Sequence, residues 1–253
     1  MDFFCQSEPE LRDAGLDETH PSRIVRRPSH IDGYDYRTSD WETARTNGKD
    51  VWLLDPDELS GVPDTIAAFS RRSTTDDARS VEDATDERGD SNLIEYLRTG
   101  ITEHDLTDTT TFEARPHWYR PPRKDPTRVL VQSAGRDGFR FVLNEAGVRN
   151  TNACYGLYDI GLTDRRLKAL LAYLNSGVFA DVFREHYRTL DGGFKKAEPG
   201  DFESAPVIDP TELDADRVAG LADAFDALRE TARAGGDTDS VLDRIDAELR
   251  RAL

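Results

Sequence analysis

The run from Thr163 to Tyr187, TDRRLKALLAYLNSGVFADVFREHY, constrains the fold more than any other part of the chain. Leu167, Leu170, Leu171 and Leu174 recur at i, i+3, i+4 and i+7, which makes one apolar stripe of a helix, and Thr163 stands where an N-cap belongs. Such a stripe has to be buried against something. Short β-type runs precede it: RVLVQS (Arg128–Ser133) and FRFVLNE (Phe139–Glu145) flank AGRDG, a turn-rich pentapeptide suited to a hairpin, and ACYGLYDI is a third strand candidate. Alternation along FRFVLNE buries Phe139, Phe141 and Leu143 and exposes Arg140 and Asn144. Asn175, Ser176 and Gly177 are expected to kink the helix before Val178 resumes it. Two amphipathic helices, about Asp214–Ala234 and Asp239–Leu253, close the chain. The pattern predicts a mixed α/β (α+β) fold, with a small, mostly antiparallel sheet flanked by helices and a C-terminal helical tail.

Upstream the signals are weaker. Residues 1–30 read as a poorly ordered lead-in, residues 31–210 as one domain and residues 211–253 as the tail. YDYRTSDW (Tyr34–Trp41) reads as a short helix or turn and DVWLLD (Asp50–Asp55) as a strand. NLIEYLRTGI (Asn92–Ile101) has Leu93, Ile94 and Leu97 at helical spacing, with Gly100 as its stop. Residues 70–90 hold almost no apolar side chains and are expected to be a disordered acidic loop. FESAPVIDP reads as an extended exit from the domain.

Charge is distributed unevenly. The 253-residue chain has a formal net charge of −17, yet Arg115–Lys196 holds 15 basic residues against 8 acidic ones, a net of +7. An acidic protein thus carries a basic middle, and the asymmetry points to an anionic partner. Of the 33 basic residues only five are Lys. A surface rich in Asp and poor in Lys suits a protein kept soluble in concentrated salt, so a salt-adapted cytoplasm is expected. Cys5 and Cys154 match no metal-ligand spacing and read as free thiols in a reducing compartment. No apolar run is long enough to span a membrane, and the N-terminus lacks the features of a signal peptide.

The five His form no metal-binding spacing, and the sequence has neither G-x-S-x-G nor a P-loop. The basic middle offers binding chemistry instead. RPHWYRPPRK (Arg115–Lys124) interleaves cations with aromatic rings. Arg and Lys neutralise phosphates, Asn pairs with adenine edges, and aromatic rings stack on bases. The DNA-binding candidates are Arg115, Trp118, Tyr119, Arg120, Arg123, Lys124, Arg128, Arg136, Arg149, Asn150, Asn152, Tyr155, Arg188, Gly192, Gly193, Lys195 and Lys196. Asn150, Asn152, Arg136 and Arg149 are the candidate base readers. The glycine pair in LDGGFKK lets backbone and ammonium groups approach a phosphate closely.

These residues carry a resemblance. YLRTG (Tyr96–Gly100), RPHWYRPPR, FVLNEAGVRNTNACYGLY, LKALLAYLNS and RTLDGGFKKAEPGDFESAPV, in that order, resemble the C-terminal specificity region of N6-adenine DNA methyltransferases of restriction–modification systems. The likeness covers residues 31 to 210. It implies sequence-specific contact with double-stranded DNA. It also implies a methyltransferase catalytic domain or subunit as partner, with S-adenosylmethionine as that partner's cofactor and none bound by this chain. The family's N-P-P-Y signature, which holds a flipped adenine, is absent here; the one Pro-Pro lies in Arg120–Arg123 between arginines. Two alternatives stand beside this reading: a metal-dependent nuclease whose carboxylates are hidden among 50 acidic residues, and a non-catalytic protein that docks a partner through its tail helices.

Overall fold

A computed structural model describes residues 2–16, 21–54, 92–104, 106, 118–122, 124–136 and 138–252. In chain order the elements are β1 (Cys5–Gln6), α1 (Glu8–Asp13), β2 (Ser22–Val25), β3 (Asp35–Tyr36), α2 (Thr38–Thr46), β4 (Trp52–Leu53), α3 (Asn92–Thr102), β5 (Val129–Gln132), β6 (Ala134–Gly135), β7 (Arg140–Asn144), β8 (Arg149–Asn150), β9 (Tyr155–Leu157), α4 (Asp164–Leu174), α5 (Gly177–Phe183), β10 (Arg188–Thr189), β11 (Lys195–Lys196), α6 (Pro199–Ser204), α7 (Ala215–Arg233) and α8 (Asp239–Ala252). The fold is mixed α/β with small, mostly antiparallel sheets and C-terminal helices, as the sequence pattern predicts. The chain divides into two compact units, residues 1–24 with 44–124 and residues 25–43 with 125–253.

In the first unit β1, β4 and β2 lie side by side in that order, and both pairs are antiparallel. The N-terminal residues are therefore no loose lead-in. Phe4, Cys5, Leu11, Leu16 and Ile24 are buried with Leu53, Leu54 and the Leu93, Ile94, Leu97 and Ile101 stripe of α3. Ser7 starts α1 with a reciprocal capping box: its backbone N–H donates to the Glu10 carboxylate at 2.8 Å, and its hydroxyl accepts from the Glu10 N–H. The Phe3 ring stacks on Tyr96, centroids 4.4 Å apart. Two-residue strands and a six-residue helix are too short to show periodicity, so this order was hidden in the sequence. Gly100 does not stop α3, which runs on to Thr102. It is needed inside the helix because a Cβ there would meet Phe3 and Leu106. Residues 70–90 lie outside the described residues.

The second unit holds the larger core. Its main sheet has the order β3-β7-β5-β9, with β3 parallel to β7 and the other pairs antiparallel. The β5–β7 register, Gln132↔Arg140 to Val129↔Leu143, confirms the predicted pairing. The first two residues of AGRDG, however, form β6, which joins a separate sheet of order β10-β11-β6. Asn144 is buried rather than exposed. Its amide donates to the carbonyls of Thr127 (2.7 Å) and Val148 (2.8 Å), which pins the turn after β7. α4 and α5 are the two halves of the kinked helix, and α6 occupies the first part of the stretch read as an extended exit. The amphipathic tail helices pack on the core of this unit. Leu221, Phe225 and Leu228 of α7 and Ile245 and Leu249 of α8 are buried with Leu167, Leu171 and Leu174 of α4.

Candidate functional site

The two rings described in the aromatic-basic stretch form no open platform. Trp118 and Tyr119 are only 4% and 5% exposed and sit in the first unit's core, edge to face at 5.9 Å. Burial on that scale removes them as base-stacking surfaces, because no ring face is left for a ligand. The Arg120 guanidinium lies 5.6 Å from the Tyr119 ring centroid. Lys124 is exposed at the end of the same unit. Arg115 and Arg123 lie outside the described residues.

The second unit brings together what the sequence separates. In the small sheet, Arg188 pairs with Lys196 and Thr189 with Lys195 across β10 and β11, and Lys196 and Lys195 pair with Ala134 and Gly135 of β6. Directly paired residues share a face and successive residues alternate. Arg188 and Lys196 thus project from the outer face, where both are exposed, and Arg136 follows β6 directly and is exposed too. Lys195 projects the other way, half-buried, with its ammonium 6.0 Å from the Tyr187 ring centroid. Gly192 and Gly193 turn the chain between β10 and β11 with φ of 72° and 75°, a region that favours glycine.

Lys196 makes a 2.8 Å ion pair with Glu198, whose carboxylate also accepts from the Tyr155 hydroxyl at 3.1 Å. Hydrogen bonds from Lys196 and Tyr155 hold the Glu198 carboxyl below its ordinary range, so Lys196 is partly neutralised at neutral pH. Neither Arg136 nor Arg188 has an ion pair among the described residues, which leaves them as the sheet's available cations. Behind the sheet lies a pocket of about 250 Å³ lined mainly by Phe139, Phe141, Phe179, Phe183, Tyr187 and Lys195. Its rings meet edge to face and stacked, so it forms the side wall of the core.

The remaining candidates lie apart from this cluster. Asn150 is buried and spent on local structure: its amide donates to the Cys154 carbonyl (2.8 Å) and its oxygen accepts from the Tyr158 hydroxyl (2.6 Å). An Asn so committed has no free edge for adenine. Arg128 donates to the Leu162 carbonyl (2.6 Å) and pairs with Asp164 at 2.5 Å. Arg149 is half-buried and Asn152 exposed on the turn after β8. The Cys154 thiol is pushed up to about 12 by burial, which suits a packing residue rather than a nucleophile.

The parallel strand β3 passes into α2 through Arg37 alone, without a glycine turn, and the carboxylate at its start, Asp35, is occupied by Arg37 (2.8 Å) and Arg233 (2.7 Å). Two residues that sequence reasoning passed over stand at the hairpin tip: Leu190 and Phe194, 47% and 39% exposed. Their signal was the placing of one large apolar residue on each side of Asp191-Gly192-Gly193.

Among the described residues no helix is long and apolar enough to cross a membrane. In comparison with known proteins, the chain is 22% identical over 162 residues to the type II methyltransferase M.AccI of Acinetobacter calcoaceticus. That match takes in 63% of this chain and 30% of the relative, so the chain spans under a third of that protein's length. The family described as the C-terminal domain of the type II methyltransferase M.Eco57I matches residues 1–249. A match over nearly the whole chain settles its membership: the protein belongs to the family of the M.Eco57I-type methyltransferase C-terminal domain.

Proposed function

We propose that the chain is the target-recognition part of an adenine-specific DNA methyltransferase and that it binds double-stranded DNA sequence-specifically. The observation that carries this reading is the gathering of Arg136, Arg188 and Lys196 at one small sheet, from segments about fifty residues apart, in a protein whose net charge is −17. Arg136 and Arg188 are exposed and make no ion pair among the described residues, and phosphates are natural counterparts for cations gathered in so acidic a chain. Arg136, Arg188, Lys195, Lys196 and the Gly192–Gly193 turn form the centre of the proposed interface, with Tyr155 buttressing it through Glu198. Arg128, Arg149 and Asn152 are outlying contacts. Trp118, Tyr119 and Asn150 are withdrawn from the interface by their burial. The N-P-P-Y loop and the S-adenosylmethionine site would be supplied by a catalytic domain or subunit.

The test is selection from a random duplex library in molar KCl, with sequencing of the retained fraction. Enrichment of a motif is the expected result, and no retention by folded protein would sink the proposal. On the enriched duplex, Arg136→Ala and Arg188→Ala are each expected to reduce the slope of log affinity against log salt by about 1. The same KCl series examines the proposed salt adaptation: folding is expected to hold at molar salt and to be lost on dilution, as judged by circular dichroism.

A further inference from the structure

The β10–β11 hairpin has an outer face whose composition is more specific than a phosphate contact requires. The pairing Arg188↔Lys196 and Thr189↔Lys195 continues to Leu190 and Phe194, whose N–H and carbonyl form a 2.7 Å hydrogen bond that closes the turn. In this register Leu190 and Phe194 stand opposite each other and project from the same face as Arg188 and Lys196. One side of a two-stranded ribbon therefore presents a pair of cations and, two residues nearer the tip, a pair of large apolar side chains, all four exposed. Of the pair on the opposite face, Lys195 turns toward Tyr187 and is half-buried, while Thr189 is exposed. Neither of these two exposed apolar residues belongs to either buried cluster.

Resting on the DNA-binding reading above, we infer that this hairpin enters the major groove face down and that Leu190 and Phe194 read the 5-methyl groups of thymine. A two-stranded ribbon fits the major groove, which is roughly 12 Å wide, whereas the minor groove at roughly 6 Å admits one only when the DNA is deformed. The thymine methyl is the apolar feature of the major-groove floor, and side chains such as Phe recognise it by contact. Residues two apart on a strand are separated by about 6.8 Å. With the apolar pair on the base edges, Arg188 and Lys196 fall about two base steps away, where phosphates of the groove wall are within reach. Charge fixes the ribbon in place and the apolar pair selects the sequence, so Leu190 and Phe194 are specificity-determining residues.

The experiment uses the full chain and the duplex enriched from the random library. Each thymine is replaced in turn by deoxyuridine, which removes only the methyl group, and affinity is measured for the wild type and for Leu190→Ala/Phe194→Ala. At least one replacement is expected to weaken wild-type binding by about fourfold, the effect of exposing one buried methyl-sized group. In the double variant that replacement is expected to have no effect, while the wild-type salt slope is retained. A motif with no methyl-sensitive thymine, or an equal penalty in the double variant, would overturn the inference and leave the DNA-binding reading standing. Failure of the folded wild type to enrich any motif would remove both.

Discussion

Asp35 is fully buried and is met by three guanidinium groups, those of Arg37, Arg229 and Arg233, at 2.8, 3.3 and 2.7 Å. Arg229 also binds Glu145 at 2.6 Å, Arg233 reaches Asp40 at 2.5 Å, and Arg37 pairs with Glu230. A carboxylate without water is tolerable only where its charge is matched and its lone pairs are filled, and removing it strands the arginines around it. Asp35→Asn is expected to destabilise the second unit by roughly 3–5 kcal/mol, as a lower urea midpoint at unchanged slope. Asp40 adds a pH dependence. Burial alone would raise its pKa, but the hydrogen bonds from Arg233 and the Arg37 N–H outweigh it, so the carboxyl lies below its ordinary value. A carboxylate depressed in this way contributes stability above its unfolded pKa of about 4, and that contribution is lost as pH falls through the folded value. Asp40→Asn should therefore be less stable than wild type at pH 7, with the gap closing below about pH 4 in denaturant titrations across that range.

At the scale of elements, the Leu174-Asn175-Ser176 corner shows how a kink can be a structural part. Ser176 caps α5, accepting from the Phe179 N–H at 3.1 Å and donating to the Tyr173 carbonyl at 2.6 Å. Asp246 of α8 accepts from the Gly177 N–H at 2.8 Å and so covers the same helix start. Asn175 serves the sheet. Its oxygen accepts from the Phe141 N–H (3.0 Å), and its amide donates to the Phe141 carbonyl (2.8 Å) and the Leu171 carbonyl (2.9 Å). The side chain thereby imitates a neighbouring strand along the edge of β7 that β3 leaves open, since β3 pairs only with Leu143 and Asn144. Asn175→Ala leaves a strand N–H and carbonyl unpaired beside the core and is expected to cost about 2–3 kcal/mol in the same denaturant assay. Asn175→Asp should fare little better, because it restores the acceptor without the amide donors.

For the whole molecule, the last two helices decide whether the second unit exists. α7 lies along α4, and α8 covers α5 and α7, with Phe225, Leu228, Ile245 and Leu249 fully or almost fully buried. Deleting residues 211–253 would expose the leucine stripe of α4 that these residues cover. The truncated chain is expected to lose its cooperative thermal transition, and DNA binding with it, in calorimetry and binding measured side by side. A truncated chain that folds and binds DNA normally would make these helices a docking segment instead. The acidic surface acts at the same scale: like charges on a chain of net −17 oppose compaction until salt screens them, while the buried arginine–carboxylate network is little screened.

The sequence by itself determined the elements with strong local signals: the leucine stripe of α4, the kink after it, the β5, β7 and β9 strands, the two closing helices and the basic middle. In each of these, periodicity or charge is written in neighbouring residues. It misplaced Asn144, Asn150, Trp118 and Tyr119, because whether a polar or aromatic side chain is buried depends on partners far along the chain. The order of the N-terminal residues was hidden for the same reason: strands of two residues carry no period and are held only by pairing with distant segments. The tertiary structure alone decided that Arg136 joins Arg188 and Lys196, and that Leu190 and Phe194 share their face. Strand register fixes which side chains meet, and register is settled by the packing of the whole unit.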